Sequence, residues 1–143
     1  MDPEPSQNQP ATSILVVDDD PHVVQSLALF LEIDGYQVLK AHSLEEAVDR
    51  CCNCPVEVVI TDLTLADGRS GMELPGLIEA KIETTPHFIL LTGQSYATLE
   101  NEALEAGFEK YLLKPPSLQD LRESIKTLLA SACSPDCSAG TAE

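Results

Sequence analysis

The chain has 143 residues, and its 24 acidic residues outnumber its 8 basic ones, giving a formal net charge of −16 at pH 7. Such a surface repels nucleic-acid phosphates and anionic membranes, so we expect no direct nucleic-acid binding, and a cation or a basic partner is the natural counterpart. No apolar run approaches the roughly 20 residues that span a bilayer, so we also expect no membrane insertion.

The two ends of the chain are predicted to lie outside the folded domain. Residues 1–11 are rich in Pro, Gln and Ser and lack the basic and apolar blocks of a secretory signal, so they are interpreted as a flexible leader. Residues 133–143 are interpreted as a flexible tail, which leaves one domain over residues 12–132. If the chain is complete, no output domain follows it.

The cysteines favour a reducing compartment. Their number, five, is odd, and no signal peptide precedes them, so we expect free thiols and a cytoplasmic location. The CCNC run at 51–54 raises the alternative of a zinc site. However, Cys51 continues the helical spacing of Leu44, Ala47 and Val48, which favours a core position for its thiol.

Strand and helix patterns alternate along the whole domain. Short apolar runs predict strands at 13–17, 36–40, 56–60, 87–91 and 110–113. Helical spacing predicts a helix from Pro21 to a stop at Asp34-Gly35, followed by helices at 43–52, 73–83, 95–106 and 117–131. This alternation predicts an α/β, flavodoxin-like, doubly wound sheet of five parallel strands in the order 2-1-3-4-5, with five helices.

The first helix offers a candidate docking surface. Its predicted inward face is Val23, Leu27, Phe30 and Leu31. That choice leaves two apolar residues facing outward one turn apart, Val24 and Ala28, with Leu29 at the border. A docking surface and ordinary scattered apolar residues remain equally good interpretations of this pattern.

Polar residues follow four of the five predicted strands. These are Asp18-Asp19-Asp20, Thr61-Asp62, Thr92-Gly93 and Lys114-Pro115. In a doubly wound sheet, ligands bind at the carboxyl ends of the strands, beside the switch point between strands 1 and 3. The sequence therefore predicts a polar site at this edge of the sheet.

The aspartates of the first motif have separate predicted roles. Asp20 precedes Pro21 and is expected to cap the first helix. Asp18 and Asp19 would instead face Asp62, forming a hard, oxygen-rich site suited to Mg²⁺. Lys114 and Thr92 would add a cation and a hydroxyl, which together with the metal are the parts needed to handle a phosphoryl group.

Four motifs together resemble the receiver domain of two-component response regulators: VVDDDP, ITDLTLADG, LLTG and YLLKP, in this order. The resemblance covers about residues 12–131. It implies the following site: phosphoacceptor Asp62; Mg²⁺ ligands Asp18, Asp19, Asp62 and the backbone carbonyl of Thr64; switch residues Thr92 and Tyr111; and Lys114 as the contact of the phosphoryl oxygens.

The resemblance also implies the partners. A histidine kinase or a phosphotransfer protein would donate the phosphoryl group, an unidentified downstream protein would bind the switched surface, and a homodimer is compatible with the family. The chain would phosphorylate and dephosphorylate itself but would not be a turnover enzyme. The bond between Lys114 and Pro115 is expected to be cis.

The sequence departs from the family pattern in three places. The loop TLADGRSGMELPG after Asp62 is longer and richer in glycine than usual, Gly93 replaces a common Ala, and Pro116 replaces a common aromatic residue. Two alternatives remain open. One is an aspartyl-phosphate hydrolase of the haloacid dehalogenase type, which would need its nucleophile on the first strand and a second Asp where Thr64 stands. The other is a receiver-like module that never accepts phosphate.

Overall fold

Five parallel strands form one sheet, in the order β2-β1-β3-β4-β5, in the computed structural model of the protein. The strands are β1 (Ser13–Val17), β2 (Gln37–Ala41), β3 (Val58–Asp62), β4 (His87–Thr92) and β5 (Lys110–Leu113). The helices are α1 (Pro21–Ile33), α2 (Leu44–Asn53), α3 (Leu74–Glu79), α4 (Leu99–Ala106) and α5 (Leu118–Cys133). The structure describes residues 12–65, 70–82, 86–93, 98–114 and 117–133.

The predicted fold class and strand order are confirmed, and the differences concern element ends. Strand β3 lies two residues later than predicted, so Asp62 is its last residue. Helix α3 is shorter than the predicted 73–83, and a 3-10 turn, Gly71–Glu73, precedes it. The predicted leader (1–11), nearly all of the predicted tail and the start of the fourth predicted helix (95–97) lie outside the described residues.

Both faces of the sheet are buried, which explains why the strands are apolar without alternation. On β1, Leu15 and Val17 pack into the layer beneath α2, α3 and α4, whereas Ile14 and Val16 pack into the layer beneath α1 and α5. Strands β3 and β4 divide their side chains in the same way. A sheet covered on both faces leaves its strand ends as the natural place for polar groups.

Helix α1 is rotated relative to its predicted orientation, and the predicted docking surface is wrong. Its buried residues are Val24, Leu27, Ala28 and Leu31, and both Val24 and Ala28 are almost fully buried. The predicted inward residues Val23 and Phe30 lie at the border, partly buried. Two apolar stripes overlap on this helix, and the sheet and α5 cover the second of them.

Helix α2 lies one residue later than the predicted 43–52, and Cys51 packs into the core as predicted. Ser43 caps its first turn by accepting a hydrogen bond from the Glu46 backbone N–H, and Cys51 is buried beneath it. Within the described part of the chain, the groups that could hold a metal ion include no cysteine. No described helix is both long enough and apolar enough to cross a membrane.

Candidate functional site

The predicted site residues meet at the carboxyl edge of the sheet. Asp18 follows β1, and its backbone N–H donates to the Ala41 carbonyl at 3.1 Å. Asp62 and Thr92 are the last residues of β3 and β4. Lys114 follows β5, and its backbone N–H donates to the Thr92 carbonyl at 2.8 Å. Ladder hydrogen bonds therefore continue to the edge of the site and fix where each side chain starts.

Three carboxylates converge at this edge. Asp18, Asp19 and Asp62 each present an oxygen, and these oxygens all lie within 4.8 Å of one another. Asp18 is buried, Asp62 is partly buried, and Asp19 is exposed. The cluster is therefore open to solvent on one side and enclosed by the sheet on the other.

Lys114 bridges the two more deeply placed carboxylates. Its Nζ lies 3.0 Å from Asp18 Oδ2 and 3.2 Å from Asp62 Oδ1. A single cation beside three carboxylates leaves an uncompensated negative charge, which repulsion makes costly unless another cation enters. The arrangement therefore attracts a cation from solution.

The pKa values of the bridged pair reflect this crowding. Burial raises the pKa of Asp62, and the Asp18 charge adds to the rise, while Lys114 and a hydrogen bond from the Thr64 backbone partly offset it. Burial alone would lower the pKa of Lys114, but its hydrogen bond to Asp18 and the charges of both aspartates outweigh burial and raise it. Lys114 is thus held in its charged form.

The donor set fits Mg²⁺. The converging ligands are carboxylate oxygens, without sulfur or imidazole among them, and Mg²⁺ prefers one or two carboxylates together with water. The exposed Asp19 leaves space for such water. The backbone N–H of Asp20 donates to Asp18 Oδ1 at 3.0 Å, which fixes how the Asp18 carboxylate faces the cluster.

The predicted separation of the three consecutive aspartates is supported by their contacts. Asp20 is the N-cap of α1, and its Oδ1 accepts from the His22 backbone N–H at 2.9 Å. Pro21 is the first helical residue, as expected. Asp20 therefore satisfies the helix end and stays outside the acidic cluster, which holds its two neighbours.

The two predicted switch residues lie near this edge but in different settings. Thr92 is almost fully buried. Tyr111 lies on β5 opposite Leu90 and is partly buried against the core layer beneath α2, α3 and α4. The expected cis bond to Pro115 lies outside the described residues.

Sequence reasoning assigned no contact to three residues that hold the site. His42 places its Nδ1 3.1 Å from the Asp18 backbone carbonyl. Thr61 donates its hydroxyl to the Asp62 backbone carbonyl at 3.1 Å, and Gly71 packs directly against that same carbonyl. A glycine after the loop and a hydroxyl inside an apolar strand were the available signals, but neither indicates its partner.

Comparison with known proteins identifies the class of this fold and site. The family model of the response regulator receiver domain matches residues 14–126, and the chain belongs to that family. Among curated relatives, the transcriptional regulatory protein AruR of Pseudomonas aeruginosa is 33% identical over 134 residues, covering 90% of this chain and 54% of AruR. The chain spans about half the length of the curated relatives it matches.

Solved structures agree with this assignment. A receiver domain protein of Methanospirillum hungatei is 30% identical with a TM-score of 0.76, covering 85% of this chain and 95% of its own. A two-component response regulator of Clostridium difficile has the same TM-score of 0.76 at 29% identity, covering 83% of this chain and 96% of its own. The predicted family and its two-component context are therefore confirmed.

Proposed function

We propose that this chain is a phosphoacceptor that takes a phosphoryl group on Asp62 and then changes a protein-interaction surface. The observation that carries the proposal is the Lys114 bridge, because it places one cation against both Asp18 and Asp62 beside an open acidic cluster. Receiver domains of this family interact with histidine kinases and downstream effectors. The donor proposed here is a phosphohistidine on a histidine kinase or a phosphotransfer protein.

The proposed phosphoryl transfer is a displacement in which Asp62 replaces the donor imidazole on phosphorus. An Asp62 carboxylate oxygen attacks phosphorus, the phosphorus–nitrogen bond of the donor breaks, and the leaving imidazole takes up a proton. Lys114 Nζ stays near the Asp62 carboxylate and neutralises charge on the phosphoryl oxygens. The chain's contribution is thus positioning and electrostatics.

The acidic cluster would hold Mg²⁺ through Asp18, Asp19 and Asp62, with the Thr64 carbonyl as a further ligand. When bound, the metal supplies positive charge that offsets both the carboxylates and the incoming phosphoryl group. Asp18 and Asp19 keep the cluster acidic after Asp62 is modified. Water later cleaves the acyl phosphate and restores the Asp62 carboxylate. In this proposal the chain is itself the acceptor, and its phosphorylated state carries the signal, so it does not act as a turnover enzyme.

The switch is proposed to run through the edge of β4 and β5. Thr92 would bond the new phosphoryl oxygens, and Tyr111 would follow into the space that Thr92 vacates. Phosphorylation replaces the single charge of the Asp62 carboxylate with the roughly two charges of an acyl phosphate and brings new acceptor oxygens, and this change can bias a two-state element. The altered face would bind a downstream protein or a second copy of this chain.

A groove beside the site suits the donor protein. It has a volume of about 520 Å³, and it is lined by His22, Val23, Ser26, Leu27, Leu91, Lys114 and Leu118. Its walls are mostly apolar, and Lys114 links it to the acidic cluster. We propose that the donor protein docks here. We also propose a cytoplasmic location, because the odd number of cysteines fits a reducing environment.

Intact-mass spectrometry after incubation with acetyl phosphate and Mg²⁺ tests the chemistry. The wild type should gain one phosphoryl group, and Asp62→Ala should gain none. Labelling of Asp62→Ala, or full labelling of the wild type in EDTA, would contradict the proposal. The same experiment separates it from a receiver-like module that never accepts phosphate.

A matched pair of variants tests the groove. Ser26→Trp should slow transfer from a phosphorylated kinase at least tenfold, because the indole fills the groove, while labelling by acetyl phosphate stays unchanged. Gln25→Trp is the control, since Gln25 is also exposed but does not line the groove. Equal slowing by both variants, or slowing with both donors, would count against docking here.

A further inference from the structure

The backbone that follows the acidic cluster is clamped from both sides. The Leu63 backbone N–H donates to the Leu91 carbonyl at 2.9 Å, and the Leu63 carbonyl accepts from the Gly71 N–H at 2.7 Å. Thr64 and Ser70 form an isolated antiparallel bridge next to these bonds. The segment carrying Asp62 and Thr64 is therefore tied both to β4 and to the turn before α3.

Gly71 approaches this segment too closely for any side chain. A Cβ at position 71 would overlap the Asp62 carbonyl oxygen and would lie 3.0 Å from Thr61 Oγ1. The obstructing atom belongs to the backbone, so it cannot rotate away as a flexible side chain could. Gly71 is required here by contact distance, since a glycine lets two backbones meet.

Thr61 holds the same carbonyl through a hydrogen bond. Its side chain is fully buried, and its hydroxyl donates to the Asp62 carbonyl oxygen at 3.1 Å. A buried hydroxyl needs a partner, and this one is used on the peptide of the proposed phosphoacceptor. The Asp62 carboxyl in turn accepts from the Thr64 backbone N–H. A shift of the backbone between Asp62 and Thr64 would therefore move the carboxylate.

We propose that Gly71 and Thr61 are positioning residues that together fix the Asp62 peptide, and through it the Asp62 carboxylate and the Thr64 carbonyl, for Mg²⁺ and phosphoryl binding. This inference rests on the proposed function and adds the residues that set its geometry. Partners that orient metal ligands typically contribute 10- to 100-fold to affinity or activity. Neither residue touches the reacting atoms.

Calorimetric titration with Mg²⁺ on the full chain tests the inference without any phosphoryl donor. Gly71→Ala should weaken Mg²⁺ binding at least tenfold. Gly76→Ala is the matched control, because a Cβ at position 76 meets nothing within 4 Å, and its Mg²⁺ affinity should equal that of the wild type. A folded Gly71→Ala that binds Mg²⁺ as tightly as Gly76→Ala would overturn the inference.

A second pair keeps the test decisive if Gly71→Ala does not fold. Thr61→Val keeps the branched shape but removes the hydroxyl, and Thr61→Ser keeps the hydroxyl. Thr61→Val should weaken Mg²⁺ binding severalfold, with Thr61→Ser restoring it, and the acetyl phosphate labelling rates should follow the same order. Equal affinity of the Val and Ser variants would overturn the role of Thr61.

The two proposals fail in different ways. A wild type that binds Mg²⁺ but takes up no phosphoryl group, while Gly71→Ala loses Mg²⁺ affinity, would reject phosphotransfer and leave the positioning role intact. A wild type that is labelled normally, with Gly71→Ala labelled equally fast at limiting Mg²⁺, would reject the positioning role alone. A wild type that binds no Mg²⁺ would overturn the positioning role as well.

Discussion

Two groups of charged side chains are built on opposite principles. Near α1 and α5, Arg122 and Asp34 form a one-to-one pair, with Nε–Oδ2 at 2.8 Å and Nη2–Oδ1 at 3.2 Å. The Arg122 guanidinium also covers the Phe30 ring, with Cζ 5.1 Å from the ring centroid. At the carboxyl edge, by contrast, Lys114 pairs with two carboxylates, and the third carboxylate of the cluster lies beside them. A balanced pair holds two helices together, whereas an unbalanced group is left able to bind a cation.

The strongest way to sharpen this comparison is to add Mg²⁺. At about 100 times its dissociation constant, a ligand that binds only the folded state adds about 2.7 kcal/mol to the free energy of unfolding. The wild type should show a gain of this order in urea melts, and Asp19→Asn should lose most of it. Asp34→Asn should keep the whole gain despite its lower starting stability.

Asp20→Asn is the control within the aspartate run. Asn caps helices about as well as Asp, so both stability and the Mg²⁺ response should persist. If Asp20→Asn lost the Mg²⁺ response while Asp19→Asn kept it, the assignment of Asp20 as the helix cap and Asp19 as a metal ligand would be wrong.

Without metal, we expect smaller effects, and the two charged groups should respond with opposite signs when a carboxylate is removed. Asp62→Asn should raise the free energy of unfolding by about 1–2 kcal/mol in EDTA at neutral pH and low salt, because it removes a charge from a crowded site. Asp34→Asn should lower it, because it leaves Arg122 without its partner. Urea melts of the two variants would break the comparison if the changes had the same sign.

The stability gain of Asp62→Asn over the wild type should depend on pH, because the pKa of Asp62 is raised. A carboxyl whose folded-state pKa is raised costs stability when ionised, and the cost is present in full above the folded-state pKa. It is relieved as the pH falls through that value toward the ordinary pKa of 3.8. The advantage of Asp62→Asn over the wild type should therefore shrink across this acidic window, and an advantage that grows on acidification would contradict the prediction.

The smallest expected effect concerns the balanced pair. Arg122→Lys should slightly lower the urea midpoint, because lysine cannot keep both hydrogen bonds to Asp34 or the planar contact with Phe30. The pair is partly exposed, so the change should be smaller than that of Asp62→Asn. A double-mutant cycle with Asp34→Asn measures the coupling, and the Mg²⁺ response should be unaffected throughout.

The sheet edge was predictable because its signals are local. Apolar runs that end in Asp18, Asp62, Thr92 and Lys114 place these residues at strand ends, and the topology of a doubly wound sheet brings the ends together. Asp20 was predictable for the same reason, since Asp before Pro marks a helix start. Each of these signals needs only neighbouring residues.

The rest depends on contacts between distant segments. Helix α1 carries two overlapping apolar stripes, and its spacing alone does not decide whether Val23 or Val24 faces the sheet. Phe30 lies at the border, where Arg122, far along the chain, covers its ring. Likewise, the contact of Gly71 with the Asp62 carbonyl joins two segments across a loop, so no pattern within either segment reveals it.

The buried thiol of α2 has a practical consequence. Burial raises the pKa of Cys51 to about 12, so it carries almost no thiolate at neutral pH, whereas the neighbouring Cys52 is exposed. Alkylating reagents consume thiolates, so Cys51 should react when its helix opens away from the sheet. Its rate of alkylation would then report, in the native sequence and without an engineered cysteine, how often that layer of the domain comes apart.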